Sequence, residues 1–261
     1  MSRIADAFAR TTQPRLVTYV TAGDPDLERS RDVLLALARG GADVMEVGVP
    51  FSDPIADGPV IQRASERALA AGGTLAAAIE MVADVRGRTD VPIVLFTYAN
   101  PVLRMGLDTF VERAAAAGVD GALLLDIPIE ESEAVRTALD RKAIDQIFLV
   151  SPTTTDARLR IAADLGRGFL YAISRLGVTG TREAVAASAA PLVARIRAAT
   201  TLPVALGFGI SRPEHVREVT GYADAAVVGS ALVQVIADAE RAGEDVGAAA
   251  ERFTRWLKTG S

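Results

Sequence analysis

The chain has 261 residues, half of them apolar and 23% charged, and its formal net charge of −5 without a basic run argues against nucleic acid and anionic membranes as partners. It contains no cysteine, which excludes disulfides, thiol nucleophiles and thiolate metal sites and makes the cytoplasm the expected location. No apolar stretch reaches the roughly 18 residues of a membrane helix, and the N-terminal segment lacks the apolar core of a signal peptide.

Short apolar runs rich in β-branched residues recur along the chain, and segments with helical periodicity lie between them. Apolar strands that alternate with helices are typical of a parallel sheet covered by helices. The eight predicted strands are LVTYVT (16–21), VMEVGV (44–49), PIVLFTY (92–98), GALLLD (121–126), QIFLV (146–150), FLYAIS (169–174), PVALG (203–207) and AAVVG (225–229).

Eight such units predict an α/β fold, a TIM (β/α)8 barrel with extra helices, formed by residues 1–261 as a single domain. The alternative is a doubly wound sheet, which would carry a G-x-G-x-x-G turn after an early strand. The first strand is followed by AGDPD instead, and the GFG turn comes only after the seventh strand. The segment RIADAFAR predicts a short amphipathic helix that covers the bottom of the barrel.

Two connections, after the second and sixth strands, are longer than the others, and such loops build the active face of a barrel. Glu46, near the end of the second strand, shares a face with Val44 and Gly48. Inside the barrel its carboxyl would be desolvated, which raises the pKa and suits proton transfer near neutral pH. Gly48 would leave room for a ligand. Alternatively, Glu46 faces the helices and pairs with an arginine.

Three aspartates follow predicted strands, and the sequence leaves their roles open. Asp53 and Asp57 lie in the loop PFSDPIADGP, where aspartates often cap turns and helices. Asp57 directly precedes a predicted helix, so an N-cap role competes with a catalytic one. Asp126 ends the fourth strand and is either catalytic or orients a neighbour.

The chain has only two lysines and one histidine, which limits the reaction mechanisms that it can use. Neither lysine, Lys142 or Lys258, lies in or just after a strand, so a Schiff-base mechanism has no candidate. The single histidine, His215, is predicted to be a surface residue of a helix, and no metal site is expected. Acid/base chemistry by carboxylates without a cofactor remains.

Glycine-rich turns follow the last three predicted strands, in SRLGVTG (174–180), GFGIS (207–211) and GSAL (229–232). Their backbone N–H groups, together with a helix that starts at Ser230, can bind an anion. Because barrels often bind phosphate at these loops, the predicted substrate is a small phosphorylated molecule.

Six stretches, LVTYVTAGDPD, EVGVPFSDPIADGPVIQ, YANP, GVTG, GFGIS and VGSALV, resemble the tryptophan synthase α subunit family in order and spacing. The resemblance covers most of the chain. It implies a carbon–carbon lyase of tryptophan biosynthesis that cleaves indole-3-glycerol phosphate to indole and glyceraldehyde 3-phosphate. It also implies an α2β2 complex, in which the β subunit carries pyridoxal phosphate and this chain carries no cofactor.

The resemblance also assigns individual residues. Glu46 matches the catalytic glutamate, which would protonate indole C3 and accept the glycerol hydroxyl proton, and Asp57 matches the aspartate that would hold the indole N–H. Tyr171 matches a tyrosine near the glutamate, and Thr179 a threonine that bonds the aspartate on loop closure, whereas Leu176 replaces an expected small polar residue. The matched phosphate-binding positions are Gly180, Gly209, Gly229 and Ser230, and the matched indole-pocket positions, which also fit barrel core, are Tyr19, Phe96, Tyr98, Leu123, Leu149 and Phe208.

By the same resemblance, Pro50, Asp53 and residues 99–106, including Asn100, would face the β subunit. Three other functions stay open: a free-standing indole-releasing lyase, an allosteric binding partner with negligible chemistry, and an isomerase or synthase on another phosphorylated substrate. Intact Glu46 and Asp57 argue against the binding partner. The block PFSDPIADGP argues against the isomerase or synthase.

Overall fold

The computed structural model describes residues 2–10, 14–173, 182–207 and 209–261. Four residues singled out in the sequence lie outside these ranges, and they are Leu176, Thr179, Gly180 and Phe208.

The strands form one parallel sheet that curves into a barrel, in the order β5-β4-β3-β2-β1-β9-β8-β7-β6. The predicted fifth strand is divided at Ile147 into β5, which pairs with β4, and β6, which pairs with β7. One chain segment therefore closes the barrel, and the predicted TIM barrel is confirmed. In the described ranges the strands are β1 (Leu16–Thr21), β2 (Val44–Gly48), β3 (Ile93–Thr97), β4 (Gly121–Leu124), β5 (Asp145–Gln146), β6 (Phe148–Val150), β7 (Leu170–Ile173), β8 (Val204–Gly207) and β9 (Ala225–Val228).

Helices cover the outside of the barrel, and polar side chains or glycines cap several of them, as at the N-cap Asp26 and the left-handed C-cap Gly41 of the helix Leu27–Gly40. None of the described helices is by itself long and apolar enough to span a membrane; α3 and α4 pass that test only as a pair bent by 89°. The helices are α1 (Arg3–Ala9), α2 (Leu27–Gly40), α3 (Pro59–Ala70), α4 (Leu75–Arg86), α5 (Ala99–Met105), α6 (Leu107–Ala117), α7 (Glu133–Asp140), α8 (Asp156–Leu165), α9 (Arg182–Arg197), α10 (Pro213–Thr220), α11 (Ser230–Ala242) and α12 (Val246–Thr259).

The extra helices explain the uneven strand spacing. Two helices, α3 and α4, separate β2 from β3, where a simple barrel has one, and α5 and α6 separate β3 from β4. The first of these insertions accounts for the long connection after the second strand. It places the loop 49–58 at the carboxyl end of β2, which is the face where barrel enzymes bind substrates.

The two faces of each strand belong to different apolar clusters, as strand alternation requires. Met45 and Val47 pack outward against the helices, whereas Val44 belongs to the cluster inside the barrel. Ile4 of α1 is fully buried in the same interior cluster, and Phe8 contacts Phe169 with ring centroids 5.5 Å apart. The N-terminal helix therefore closes the bottom of the barrel, as the sequence predicts.

Candidate active site

Glu46 projects into the barrel from β2, between Tyr19 of β1 and Val94 of β3 in the strand register. Its side chain is fully buried, and neither carboxyl oxygen has a hydrogen-bond partner among the described residues. Burial raises the pKa of Glu46 to about 8. The alternative of an arginine partner on the helical side is therefore wrong, and the carboxyl group can exist in both protonation states near neutral pH.

Gly48 does not leave room for a ligand, contrary to the sequence-based expectation. A Cβ atom at this position would collide with the hydroxyl group of Tyr19, so the space beside the glycine is filled by that phenol. Gly207 plays the same part for Tyr171, because a Cβ there would lie 2.7 Å from the Tyr171 hydroxyl oxygen. The two glycines thus let two tyrosines reach across the upper layer of the barrel.

Asp57 lies after β2 and is held by Tyr98, the residue before α5. The Tyr98 hydroxyl donates to Asp57 Oδ2 at 3.1 Å and accepts from the Ala56 N–H at 3.0 Å. The N-cap of α3 is Gly58, which has no capping side chain, so Asp57 does not serve as an N-cap. Burial raises the pKa of Asp57, and the hydrogen bond from Tyr98 opposes that rise.

The other two aspartates have structural or peripheral positions. Asp126 Oδ1 accepts a hydrogen bond from the Ala99 N–H at 2.6 Å, so it orients the first turn of α5. Asp53 is exposed and accepts a hydrogen bond from the Ser52 hydroxyl. Neither of these aspartates lines the cavity that Asp57 borders.

A cavity of about 420 Å³ opens at the carboxyl ends of the strands, beside Asp57. Its walls are aromatic on one side, where the Tyr19 and Phe96 rings meet edge to face with centroids 5.3 Å apart. Glu46 does not itself line the cavity; it lies beside the lining residue Tyr19 in the strand register. Burial and the charge of Glu46 raise the pKa of Tyr171, a second lining residue. The lining residues are Tyr19, Asp57, Ile61, Phe96, Tyr171, Gly207, Gly209, Ile210, Val227, Gly229, Ser230 and Ala231.

The opposite wall of the cavity is made of backbone from two turns. Gly209 has a φ of 46°, in the left-handed region, and Gly229 is the N-cap of α11. The N-cap residue Gly229 has no side chain that could cap α11, and Ser230 and Ala231, in the first turn of this helix, line the cavity. A helix N-terminus of this kind binds anions.

The structure therefore brings together Glu46, Asp57, Tyr171, Tyr19 and Phe96 with three of the predicted phosphate-binding residues. Leu123 and Leu149 instead lie in the interior cluster below, and Tyr98 reaches the site through its hydroxyl group. Sequence reasoning missed Ile61, Gly207, Ile210, Val227 and Ala231 as lining residues. Ile210 and Ala231 directly follow matched glycine and serine positions, and that adjacency is the signal that could have found them.

His215 is not a surface residue, contrary to the sequence-based prediction. Its side chain is buried in the first turn of α10, and its Nδ1 accepts a hydrogen bond from the Ser211 N–H at 3.2 Å. Helical periodicity around residue 215 does not reveal this contact, because the contact depends on how the chain enters the helix. Within the described ranges, no group of three or more histidine or acidic side chains could hold a metal ion.

Comparison with known proteins agrees with this geometry. Residues 6–260 match the profile of the family described as tryptophan synthase alpha chain. The tryptophan synthase alpha chain of Solibacter usitatus is 51% identical over 261 residues, which cover 100% of this chain and 97% of the relative.

Two solved structures share the fold. Tryptophan synthase subunit alpha from Legionella pneumophila superposes with a TM-score of 0.89 at 35% identity, covering 98% of this chain and 97% of that chain. A chain of the tryptophan synthase α2β2 complex from Pyrococcus furiosus superposes with a TM-score of 0.83 at 36% identity, covering 93% of this chain and 97% of that chain.

Proposed function

Because the chain belongs to the tryptophan synthase alpha chain family, we propose that its barrel cleaves indole-3-glycerol phosphate to indole and glyceraldehyde 3-phosphate through Glu46 and Asp57. This retro-aldol reaction makes the chain a carbon–carbon lyase of tryptophan biosynthesis. One observation carries the assignment of the site: Asp57 lines a cavity together with the first turn of α11, and the buried Glu46 lies next to Tyr19, which lines the same cavity.

Glu46 has the properties of a proton carrier that serves two steps. In its protonated form it donates to indole C3, and the ring nitrogen gains positive charge. The resulting carboxylate then accepts the proton of the adjacent glycerol hydroxyl, the carbon–carbon bond breaks, and its electron pair returns to the ring as the aldehyde forms. The proton lost from the hydroxyl replaces the one given to C3, so Glu46 is regenerated. A pKa of about 8 makes both forms accessible near neutral pH.

Asp57 stabilises the positive charge that develops on the indole nitrogen. That role requires an ionised carboxylate facing the ring N–H in a site with little water. The Tyr98 hydroxyl supports the ionised form, because it donates a hydrogen bond to Asp57 Oδ2 and so opposes the effect of burial on the pKa. We assign to Thr179, by family resemblance, a hydrogen bond to Asp57 that forms when the loop carrying Thr179, after the sixth predicted strand, closes.

The remaining site residues bind the two ends of the substrate. We assign the phosphate to the N–H groups at Gly209, Gly229 and Ser230, with Gly180 added by resemblance. The indole lies against Tyr19 and Phe96, with Phe208 added by resemblance. Tyr171 lines the same cavity and lies near Glu46. Leu123 and Leu149 belong to the interior cluster against which Phe96 and Tyr171 pack.

The partner of the chain is a tryptophan synthase β subunit, as in the α2β2 complex of the Pyrococcus furiosus relative. A groove of about 500 Å³ lies beside the active face, lined by residues of the loop after β2 and of α5, including Pro50 and Asn100. Large apolar side chains are exposed next to it, with Ile55 88% and Leu103 69% exposed. We propose that this face, with Asp53 at its edge, binds the β subunit.

The complex divides the cofactor and the chemistry between two chains. Pyridoxal phosphate belongs to the β subunit, and the alpha chain family cleaves its substrate without it. In the described structure both lysines are engaged in ion pairs, Lys142 with Glu112 and Lys258 with Asp43.

We also propose that residues 1–261 form one domain and that the protein is cytoplasmic, the latter because the chain has no cysteine.

The test is product analysis with the purified chain, with and without a β subunit. Indole and glyceraldehyde 3-phosphate should appear in equal amounts, without added metal or cofactor, and the β subunit should accelerate their release. Fast release that the β subunit does not change would instead identify a free-standing lyase. Binding of the substrate without any product would overturn the proposed function.

A further inference from the structure

The turn between β8 and α10 supplies part of the proposed phosphate site. Gly209 and Ile210 both line the cavity, and Gly209 has a left-handed φ of 46°. A Cβ at Gly209 would meet no atom of the described residues within 4 Å, so the turn is open on that side. Backbone N–H groups bind phosphate well only if the backbone that carries them is held in place.

Two contacts in the described structure hold this turn from behind. The Ile210 side chain is only 2% exposed and packs in the outer apolar cluster. Ser211, the next residue, donates its backbone N–H to Nδ1 of His215 at 3.2 Å. Nδ1 must act as the acceptor here, because a backbone N–H is always a donor.

His215 is fixed firmly enough to anchor its partner. It is 6% exposed and lies in the first turn of α10, which also buries Pro213 and Val216. The N-cap residue of α10 is Arg212, whose side chain does not cap the helix. His215 is the third residue of the helix, and its side chain bonds the backbone N–H of the residue before the N-cap. The arrangement is similar to a capping box, in which the side chain at this position bonds the N-cap N–H.

We propose that His215 is a positioning residue for substrate phosphate, which holds the 209–211 turn in its binding geometry through the Ser211 N–H. This inference rests on the proposed function, because it takes the phosphate to bind at that turn. His215 touches no substrate, and it acts through Ser211 and Ile210 on Gly209. Loss of its acceptor should therefore weaken phosphate binding and leave the chemistry at Glu46 and Asp57 in place.

Two variants of nearly equal shape isolate the acceptor. In His215→Asn the side-chain Oδ1 can take the place of Nδ1, whereas His215→Leu has no acceptor in a side chain of similar size. The probes are glycerol 3-phosphate, which has the phosphate without the ring, and indole, which has the ring without the phosphate. Each is measured as an inhibitor of indole-3-glycerol phosphate cleavage by the chain in complex with the β subunit.

For His215→Leu we expect glycerol 3-phosphate to bind about five- to tenfold more weakly, as the loss of one hydrogen bond predicts. The KM for the substrate should rise by a similar factor, while kcat and the affinity for indole stay within about twofold. His215→Asn should bind glycerol 3-phosphate within about twofold of the wild type. Equal affinities in the two variants, or equal weakening of glycerol 3-phosphate and indole, would overturn the inference.

Failure of the proposed function gives a different pattern from failure of this inference. If the wild-type complex neither cleaves the substrate nor binds glycerol 3-phosphate, the proposed function is wrong. If it does both and the two variants behave alike, only the role of His215 is wrong. Should His215→Leu not fold, His215→Ala with the Asn variant as reference gives the same comparison.

Discussion

Glu46 is an acid in a place where its charged form has no stabilising partner. Its oxygens are fully buried and make no hydrogen bond to the described residues, and the nearby tyrosines do not donate to them. The charged form is therefore disfavoured, and the proton stays on the carboxyl group up to about pH 8. An arginine beside Glu46 would stabilise the carboxylate and lower its pKa, so that Glu46 could not donate a proton near neutral pH.

Replacing Glu46 with Gln should change how stability depends on pH. The ordinary pKa of 4.5 applies to the unfolded chain and a pKa of about 8 to the folded chain. Between these values the unfolded chain releases a proton that the folded chain keeps, so the wild type loses stability as pH rises. Since one pKa unit corresponds to about 1.4 kcal/mol, the loss relative to Glu46→Gln should approach roughly 5 kcal/mol.

Denaturant unfolding of both proteins from pH 4 to pH 9 measures that difference. The free energy of unfolding of the variant should gain on that of the wild type between about pH 4.5 and 8, and the difference should be constant outside this window. Parallel stability curves for the two proteins would mean that Glu46 is not desolvated in solution.

Tyr98→Phe should lower kcat roughly tenfold with little effect on KM, because one hydrogen bond to the Asp57 carboxylate is lost. That bond lowers the pKa of Asp57, so its removal should shift the acid limb of the pH–rate profile to higher pH. Tyr222→Phe is the control, since the buried Tyr222 hydroxyl has no partner among the described residues. An unchanged acid limb in Tyr98→Phe would show that Tyr98 does not tune Asp57.

At the scale of the strand, the barrel depends on pairing large residues with small ones across neighbouring strands. Gly48 lies opposite Thr21 in the register. The side chain of Tyr19, two residues before Thr21 on the same strand, fills the space that a Cβ at Gly48 would need. Layers of side chains fill the interior in this way, so a small residue at one position sets the rotamer of its neighbour.

Gly48→Ala should therefore displace the Tyr19 ring and damage both packing and catalysis. Overpacking of this kind costs about 1–3 kcal/mol of stability, and the moved phenol should lower kcat/KM for the substrate. Gly87→Ala is a matched control, because a Cβ at Gly87 meets no atom within 4 Å. Thermal unfolding and steady-state kinetics of both variants decide the matter: wild-type behaviour of Gly48→Ala would contradict the packing described for Tyr19.

Secondary structure in this chain follows closely from sequence. The predicted 16–21 strand is β1 to the residue, because the run is rich in β-branched residues and the turn sequence AGDP follows it. The break at Ile147 could not be predicted from the sequence. It lies where the segment stops pairing with β4 and begins to pair with β7. Alternation puts Glu46 on the same face as Val44 but does not tell which face points into the barrel. The Tyr98–Asp57 hydrogen bond joins residues 41 positions apart and has no local signal.

At the scale of the whole molecule, the active face and the proposed partner face are continuous. The loop after β2 carries Asp57 on its inner side and Ile55, which is 88% exposed, on its outer side. α5 begins just after Tyr98 and exposes Leu103. Contiguous exposed apolar patches mark protein–protein interaction sites.

Leu103→Asp should weaken binding of the β subunit at least tenfold, because a charge would be buried in an apolar contact. Indole release by the chain alone should be unchanged, since Leu103 does not line the catalytic cavity. Trp256→Asp, which introduces the same charge at an exposed aromatic residue beside α11, should leave β-subunit binding as it is. Titration of β-subunit activation compares the three proteins, and equal affinities would place the contact elsewhere.

The most direct test of the whole account is the rate of indole release in complex with the β subunit for the wild type, Glu46→Gln and Asp57→Asn. Loss of a general acid/base costs about 10²–10⁴ in rate, so Glu46→Gln should lose at least a hundredfold in kcat while glycerol 3-phosphate still binds. Asp57→Asn should lose a comparable factor, because a neutral amide cannot stabilise the charged nitrogen. Near wild-type turnover of Glu46→Gln, with the substrate bound normally, would contradict the assignment of Glu46 as the proton carrier.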